Sequence, residues 1–244
     1  MRKRGDKKHS VKGRDVIVFD EFNNGSDLGG KNTPIIMLGY LSRPGERKNP
    51  SVFKHSVETG FFGKRHNELS EAVAGAQEYA ADHSRFYYTT ISHAERKAAP
   101  LHSIKANAVA LLTYRFLSEY QLNIRNLSWV LHEMDGAQNT RKIIEEAGEW
   151  MRKGRIQRPR AAFYKGDNHP IIKLAHNCIH SVAYLSLLQQ ENGVRDPDEW
   201  VVDKENWPFP GRRVPGVKKQ DLDKIAREFR KKTPPHKIQK MFLP

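Results

Sequence analysis

An α/β fold on a mixed sheet, with three antiparallel strands joined to a parallel βαβα half and helices on both faces, is what this sequence predicts. Three observations carry it. Runs rich in Val, Ile, Phe, Tyr and Trp recur at 16–22, 34–42, 85–92, 127–135 and 160–166, and β-branched and aromatic runs of that length read as strands. The first three runs follow one another with only a small helix-like segment before the third, whereas the last two alternate with helix-like segments, the pattern of parallel crossover units. Three of the runs end at or close to an aspartate: Asp20, Asp135 and Asp167.

The elements follow in order. VIVFDEF at 16–22 and PIIMLGYLS at 34–42 flank the Gly/Asn-rich FNNGSDLGGKN, which reads as the turn of a hairpin. Pro44, Gly45, Pro50 and Gly60 make 43–62 a loop, and 65–83 then shows apolar residues near helical spacing. RFYYTTIS at 85–92 is the third strand. From 100 to 121, Ile104, Ala108, Leu111, Leu112, Arg115 and Phe116 recur at three and four, so a long amphipathic helix opens behind Pro100. Strand 127–135, helix 139–153, strand 160–166 and helix 170–191 complete the series, the last with an apolar stripe of Ile171, Leu174, Ala175, Cys178, Val182 and Leu185. Beyond it, 195–217 holds Trp200, Trp207 and Phe209 among prolines and reads as an extended strap. The segment 219–232 is a short basic helix with Leu222, Ile225, Ala226 and Phe229 on one face, able to dock on the body, on a partner protein or across a groove.

The chain of 244 residues divides into a basic arm (1–14), one generous domain (15–192) and a C-terminal strap with its basic helix and tail (193–244). Its net charge of +14 is concentrated at the two ends. Arg2, Lys3, Arg4, Lys7 and Lys8 lead the first cluster, and Arg212, Arg213, Lys218, Lys219, Lys231 and Lys232 lead the second. A near-neutral body between basic arms suits a protein that holds phosphate backbones with its tails and works on them with its core. Cys178 is the only cysteine, which rules out an intramolecular disulfide and a cysteine-rich zinc site and points to a reducing cytoplasm. No apolar run approaches the roughly 18 residues of a membrane span, so no membrane partner is expected.

Three antiparallel strands followed by a parallel βαβα half is the arrangement of the ribonuclease H-like fold, in which the first and fourth strands are neighbours. Asp20, Asp135 and Asp167 would then meet at one edge of the sheet, where open α/β sheets place their ligands. On the first strand Asp20 shares a face with Val16 and Val18, and Glu21 takes the other. Asp20 is therefore the expected metal ligand and Glu21 a supporting group. Glu133, Lys165 and His180 are expected in supporting positions as well. His176 borders the apolar stripe of its helix and is the fourth candidate ligand; His180 follows one turn later. Asn177 stands where a zinc protease would carry its glutamate, so that class fits poorly.

Phe19-Asp20-Glu21-Phe22-Asn23 and Gly166-Asp167-Asn168-His169-Pro170, the latter followed by Lys173-Leu174-Ala175-His176-Asn177, resemble a broad family of RNase H-like proteins of unassigned activity. Its members open on Phe-Ile-Asp-Glu-Ser-Gly and close on Asp-Ser followed by a Gln-Leu-Ala-Asp-Leu helix. The likeness spans about 16–190. More distantly the chain is similar to type 2 ribonuclease H, which also opens on Asp-Glu and has an Asp-Gly after its fourth strand, like Asp135-Gly136. The resemblance implies a divalent-metal nuclease core with Asp20, Asp135 and Asp167 as ligands, and with His176 where the family has its last Asp. The glycine-rich signature of the type 2 enzymes is not recognisable after Glu21.

The expected activity is hydrolysis of phosphodiester bonds in RNA, DNA or their hybrid, with two Mg²⁺ or Mn²⁺ ions about 4 Å apart across the scissile phosphate. Asp20 would bridge both ions, Asp135 would hold one, and Asp167 with His176 the other, while Lys165 balances phosphate charge. The alternative is a non-catalytic RNase H-fold component of a larger nucleoprotein assembly, which the histidine at 176 and the long arms favour.

Overall fold

Five of the strands form where the apolar runs predict them: β1 (Asp15–Phe22), β2 (Ile35–Ser42), β3 (Arg85–Ile91), β4 (Leu127–His132) and β5 (Arg160–Tyr164). The computed structural model describes residues 13–22, 35–44, 85–120, 122–165, 172, 175, 179, 212–213 and 218–232. The expected linker at 23–33, the helix at 65–83 and most of the strap lie outside the described residues. Arg212 and Arg213 form a short sixth strand, β6 (Arg212–Arg213).

The sheet runs β5-β4-β1-β2-β3-β6. β1, β2 and β3 pair antiparallel in sequence, while β4 lies parallel to β1 and β5 parallel to β4. The fold is therefore α/β with a mixed sheet. Because β1 and β4 run side by side in one direction, their C-terminal ends share one edge, and Phe19 lies level with Leu131.

Four helices are described in full: α1 (His93–Ala98), α2 (Leu101–Glu119), α3 (Ala137–Lys153) and α4 (Lys219–Lys232). α1 is not among the expected elements, since 93–100 has no apolar periodicity to announce it. It starts because Ser92 leaves the third strand to act as its cap: the Ser92 side chain accepts from the Glu95 N–H at 3.2 Å, and the Glu95 carboxylate accepts from the Ser92 N–H at 2.7 Å. This reciprocal pair satisfies two donors that a helix start leaves open. α2 begins just after Pro100, as expected. Ile172, Ala175 and Ile179 are helical and fully buried. Their spacing of three and four marks a packed helix face, and Ile172 and Ile179 rather than the expected Ile171 and Cys178 are the residues described there.

Strand alternation sorts the core into two faces. Ile17, Phe19, Met37, Tyr87, Trp129 and Leu131 pack in one cluster with α2, α3 and α4. Val16, Val18, Leu38, Tyr40 and Val130, which alternate with them, are buried too. α2 lies close on the sheet at Gly39, where a Cβ would meet the Phe116 ring at 3.0 Å and the Phe19 ring at 3.2 Å. α4 docks on the body: Leu222 is 0% exposed and Ala226 3%, and the Phe229 ring centroid lies 4.8 Å from that of Tyr114. No helix among the described residues is long and apolar enough to cross a membrane.

The fourth strand stops at His132, three residues short of the expected end. Glu133 still donates its N–H to the Tyr164 carbonyl at 2.9 Å, but Met134 turns inward and is fully buried. Thr140 fixes that turn: its hydroxyl accepts from the Met134 N–H at 2.9 Å and faces the Met134 and Gly136 carbonyls at 3.1 and 3.0 Å. The chain then reaches α3 through Asp135 and Gly136, with φ of 52° and 88°. Those are left-handed values, which Asp tolerates and Gly adopts freely.

Candidate functional site

Asp20 and Glu21 leave the end of β1 on opposite faces of the sheet, and each finds a different partner. Asp20 is fully buried. Its Oδ1 accepts from the Glu21 backbone N–H at 2.8 Å and lies 2.9 Å from Nδ1 of His132, the last residue of β4. The adjacent parallel strand thus brings an imidazole to the carboxylate at equal height. His132 shares the face of Val130, as Asp20 shares that of Val18, so strand register alone produces the pair.

On the other face Glu21 and Asp135 meet on one cation. Lys105, one turn into α2, is fully buried. Its Nζ lies 2.5 Å from Glu21 Oε2 and donates to Asp135 Oδ2. The Glu21 contact is an ion pair without hydrogen-bond alignment. The Glu21 carboxyl is raised from 4.5 to about 7, mainly by burial; Lys105 pulls it down, and the charges of Asp135 and Asp20 push it up again. Those last two contributions matter for the site. They show that all three carboxylates of this edge feel one another.

Asp135 reaches Lys105 because it is no longer in the strand. In an extended continuation of β4 it would share a face with Trp129, Leu131 and Glu133, but the turn at Met134 ends that alternation. The left-handed backbone carries its side chain back over α2. The Asp135 carbonyl is held by the Asn139 side chain, which donates to it at 3.0 Å.

Of the residues expected from sequence, the structure gathers Asp20, Glu21 and Asp135 at the C-terminal edge of β1 and β4. Glu133 is half-buried and Lys165 is exposed at the end of β5. Asp167, His176 and His180 lie outside the described residues, as do Arg2, Lys3, Arg4, Lys7 and Lys8. Arg212 and Arg213 pair with Tyr87 and Tyr88 of β3. Lys218, Lys219, Lys231 and Lys232 are exposed along α4. Lys105 and His132 are not among the expected residues. Lys105 carries a signal in sequence, since it falls on the same helical face as Leu101, Ala108, Val109 and Leu112, where a lysine has no reason to be unless something anionic waits for it.

Hard carboxylate oxygens and one imidazole are the donors that suit Mg²⁺ or Mn²⁺. Among the described residues no group of three or more His, Cys, Asp or Glu is arranged to hold an ion. Between Glu21 and Asp135 the place of a cation is taken by the Lys105 ammonium, which acts as a stand-in ion. The donor chemistry therefore fits a cation at this edge, with Asp20 as its anchor and Lys105 filling the neighbouring position.

No family model matches this chain, and no curated protein matches it.

Proposed function

We propose that the chain is an RNase H-like, divalent-metal-dependent nuclease that hydrolyses phosphodiester bonds of RNA, DNA or their hybrid at the edge formed by Asp20, Glu21 and Asp135. The observation that carries this reading is the meeting of three mutually repelling carboxylates from two adjacent parallel strands. A protein that buries such a group at the ligand-binding edge of its sheet has a use for cations there. The strand order supports the fold reading: an antiparallel β1-β2-β3 meander with β4 and β5 added in parallel beside β1 is the order of the RNase H-like sheet.

Asp20 would hold the metal, with Asp167 and His176 as its further ligands in this reading. A bound Mg²⁺ or Mn²⁺ would supply charge neutralisation at the scissile phosphate and acidity to the attacking water. The chain's own residues set the stage. The Glu21 N–H and His132 orient the Asp20 carboxylate, Lys105 holds Glu21 and Asp135 in place, and burial keeps bulk water from screening the site. The exposed lysines of α4 would hold phosphates in a salt-dependent way.

One observation favours the second reading, a non-catalytic nucleic-acid-binding component of a larger assembly: Lys105 already neutralises part of the acid group. A cleavage assay separates the two. The full chain with Mg²⁺ or Mn²⁺ should cut a single-stranded, duplex or hybrid substrate, and Asp20→Asn should abolish cutting while binding persists, because the amide keeps the shape and loses the charge. Identical product ladders from both proteins overturn the nuclease reading. Binding without cutting by either supports the second.

A further inference from the structure

We propose that Lys105 is the resident cation of the acid edge, standing where one of two metal ions would sit, so that the site takes up a single divalent ion at Asp20. The inference rests on the nuclease reading above and sharpens it.

The geometry is that of a bridging cation. Glu21 comes from β1, and Asp135 from the turn after β4. A single positive centre between them, 2.5 Å from Glu21 Oε2 and bonded to Asp135 Oδ2, ties two strands together as a shared metal would. Asp135 is the residue that a two-metal scheme needs for its own ion, and its Oδ2 is engaged by Lys105 instead. The lysine is inside, with no exposed surface, and belongs to a helix packed hard on the sheet. It is a fixture of the fold rather than a mobile surface charge.

Charge points the same way. With all three acids ionised, the carboxylates and one ammonium leave two negative charges, which is the charge of one divalent ion. A second divalent ion beside a buried ammonium would meet strong repulsion at low effective dielectric. An ammonium also has no open coordination position, so it cannot activate water. Lys105 is therefore a positioning residue that holds Glu21 and Asp135 while the chemistry stays with the Asp20 ion.

The test is the count of Mn²⁺ ions on the metal-free full chain, by calorimetric titration, with electron paramagnetic resonance to separate an isolated ion from a coupled pair. Wild type should bind one ion with an isolated signal. Lys105→Met, which keeps length and removes charge, should bind two with a coupled signal, and Lys105→Arg should return to one. Two ions on wild type, or one on Lys105→Met, overturn the proposal and leave the metal reading standing. No ion on either protein overturns the metal reading and this proposal with it. Should Lys105→Met fail to fold, the wild-type count decides alone: one ion supports the proposal and two overturn it.

Discussion

The two ends of α3 are both crowded with charge, and they handle it in opposite ways. At its N-terminal end Lys105, Glu21 and Asp135 share a nearly dry pocket in which the lysine has no exposed surface. At its C-terminal end, about 25 Å away along a 17-residue helix, Arg152 and Lys153 are 64% and 46% exposed. There Arg230 of α4 donates to the Lys153 carbonyl at 3.1 Å, Lys153 lies over the Trp150 ring at 3.7 Å, and the ion pairs are ordinary surface ones. A charge at the first end has one partner set and no substitute. At the second end water and counter-ions take over whatever a mutation removes. The acid edge should therefore respond sharply to single substitutions, and the basic end only to many at once.

The largest contrast is between two lysines. Lys105→Met leaves two carboxylates buried without their cation and should cost about 3–5 kcal/mol, read by urea unfolding at pH 7. Lys153→Met should stay within about 0.5 kcal/mol. Equal costs would mean that the pocket is wetter than its geometry says.

Next in size is a pH dependence. Below about pH 4.5 Glu21 is protonated in both folded and unfolded chains; between 4.5 and about 7 only the folded chain keeps the proton. Stability from this group is thus full below 4.5 and is lost as the pH rises through about 7. The loss amounts to roughly 3 kcal/mol if no other group compensates. Subtracting the Glu21→Gln profile from that of wild type isolates it, and a flat difference would break the electrostatic account of the edge.

Much of this arrangement is legible in the sequence. The five strands, α2, α3 and α4 follow from apolar spacing, and the opposite faces of Asp20 and Glu21 follow from strand parity. The end of β4 is not legible, because Met134 continues an apolar run while Thr140, six residues on, is what bends it. Lys105 escapes notice for a related reason. Periodicity weighs what an apolar face contains and passes over the single cation that three distant acids require. His132 becomes visible only once register sets β4 level with β1.

A smaller effect lies at the other end of α3. The buried Tyr114 hydroxyl donates to the Trp150 carbonyl at 2.6 Å, and burial holds its phenol well above the usual range. Tyr114→Phe should cost about 1 kcal/mol in the same unfolding experiment. A cost near that of Lys105→Met would show the basic end to be as tightly specified as the acid edge.

Smallest in stability, and informative in binding, is the surface of α4. Changing Lys218, Lys219, Lys231 and Lys232 together to Gln should move stability by no more than about 0.5 kcal/mol. It should also lower the salt slope of duplex binding by up to about 0.9 for each phosphate that these lysines neutralise. An unchanged slope would place the phosphate grip elsewhere on the molecule.

The measurement that bears most directly on the acid edge is a crystal structure of the full chain soaked in Mn²⁺ and read by anomalous scattering. One peak is expected within about 2.0–2.6 Å of an Asp20 oxygen, with Lys105 still between Glu21 and Asp135. A structure with no peak at this edge, or with a metal in the place of the Lys105 ammonium, would contradict the account.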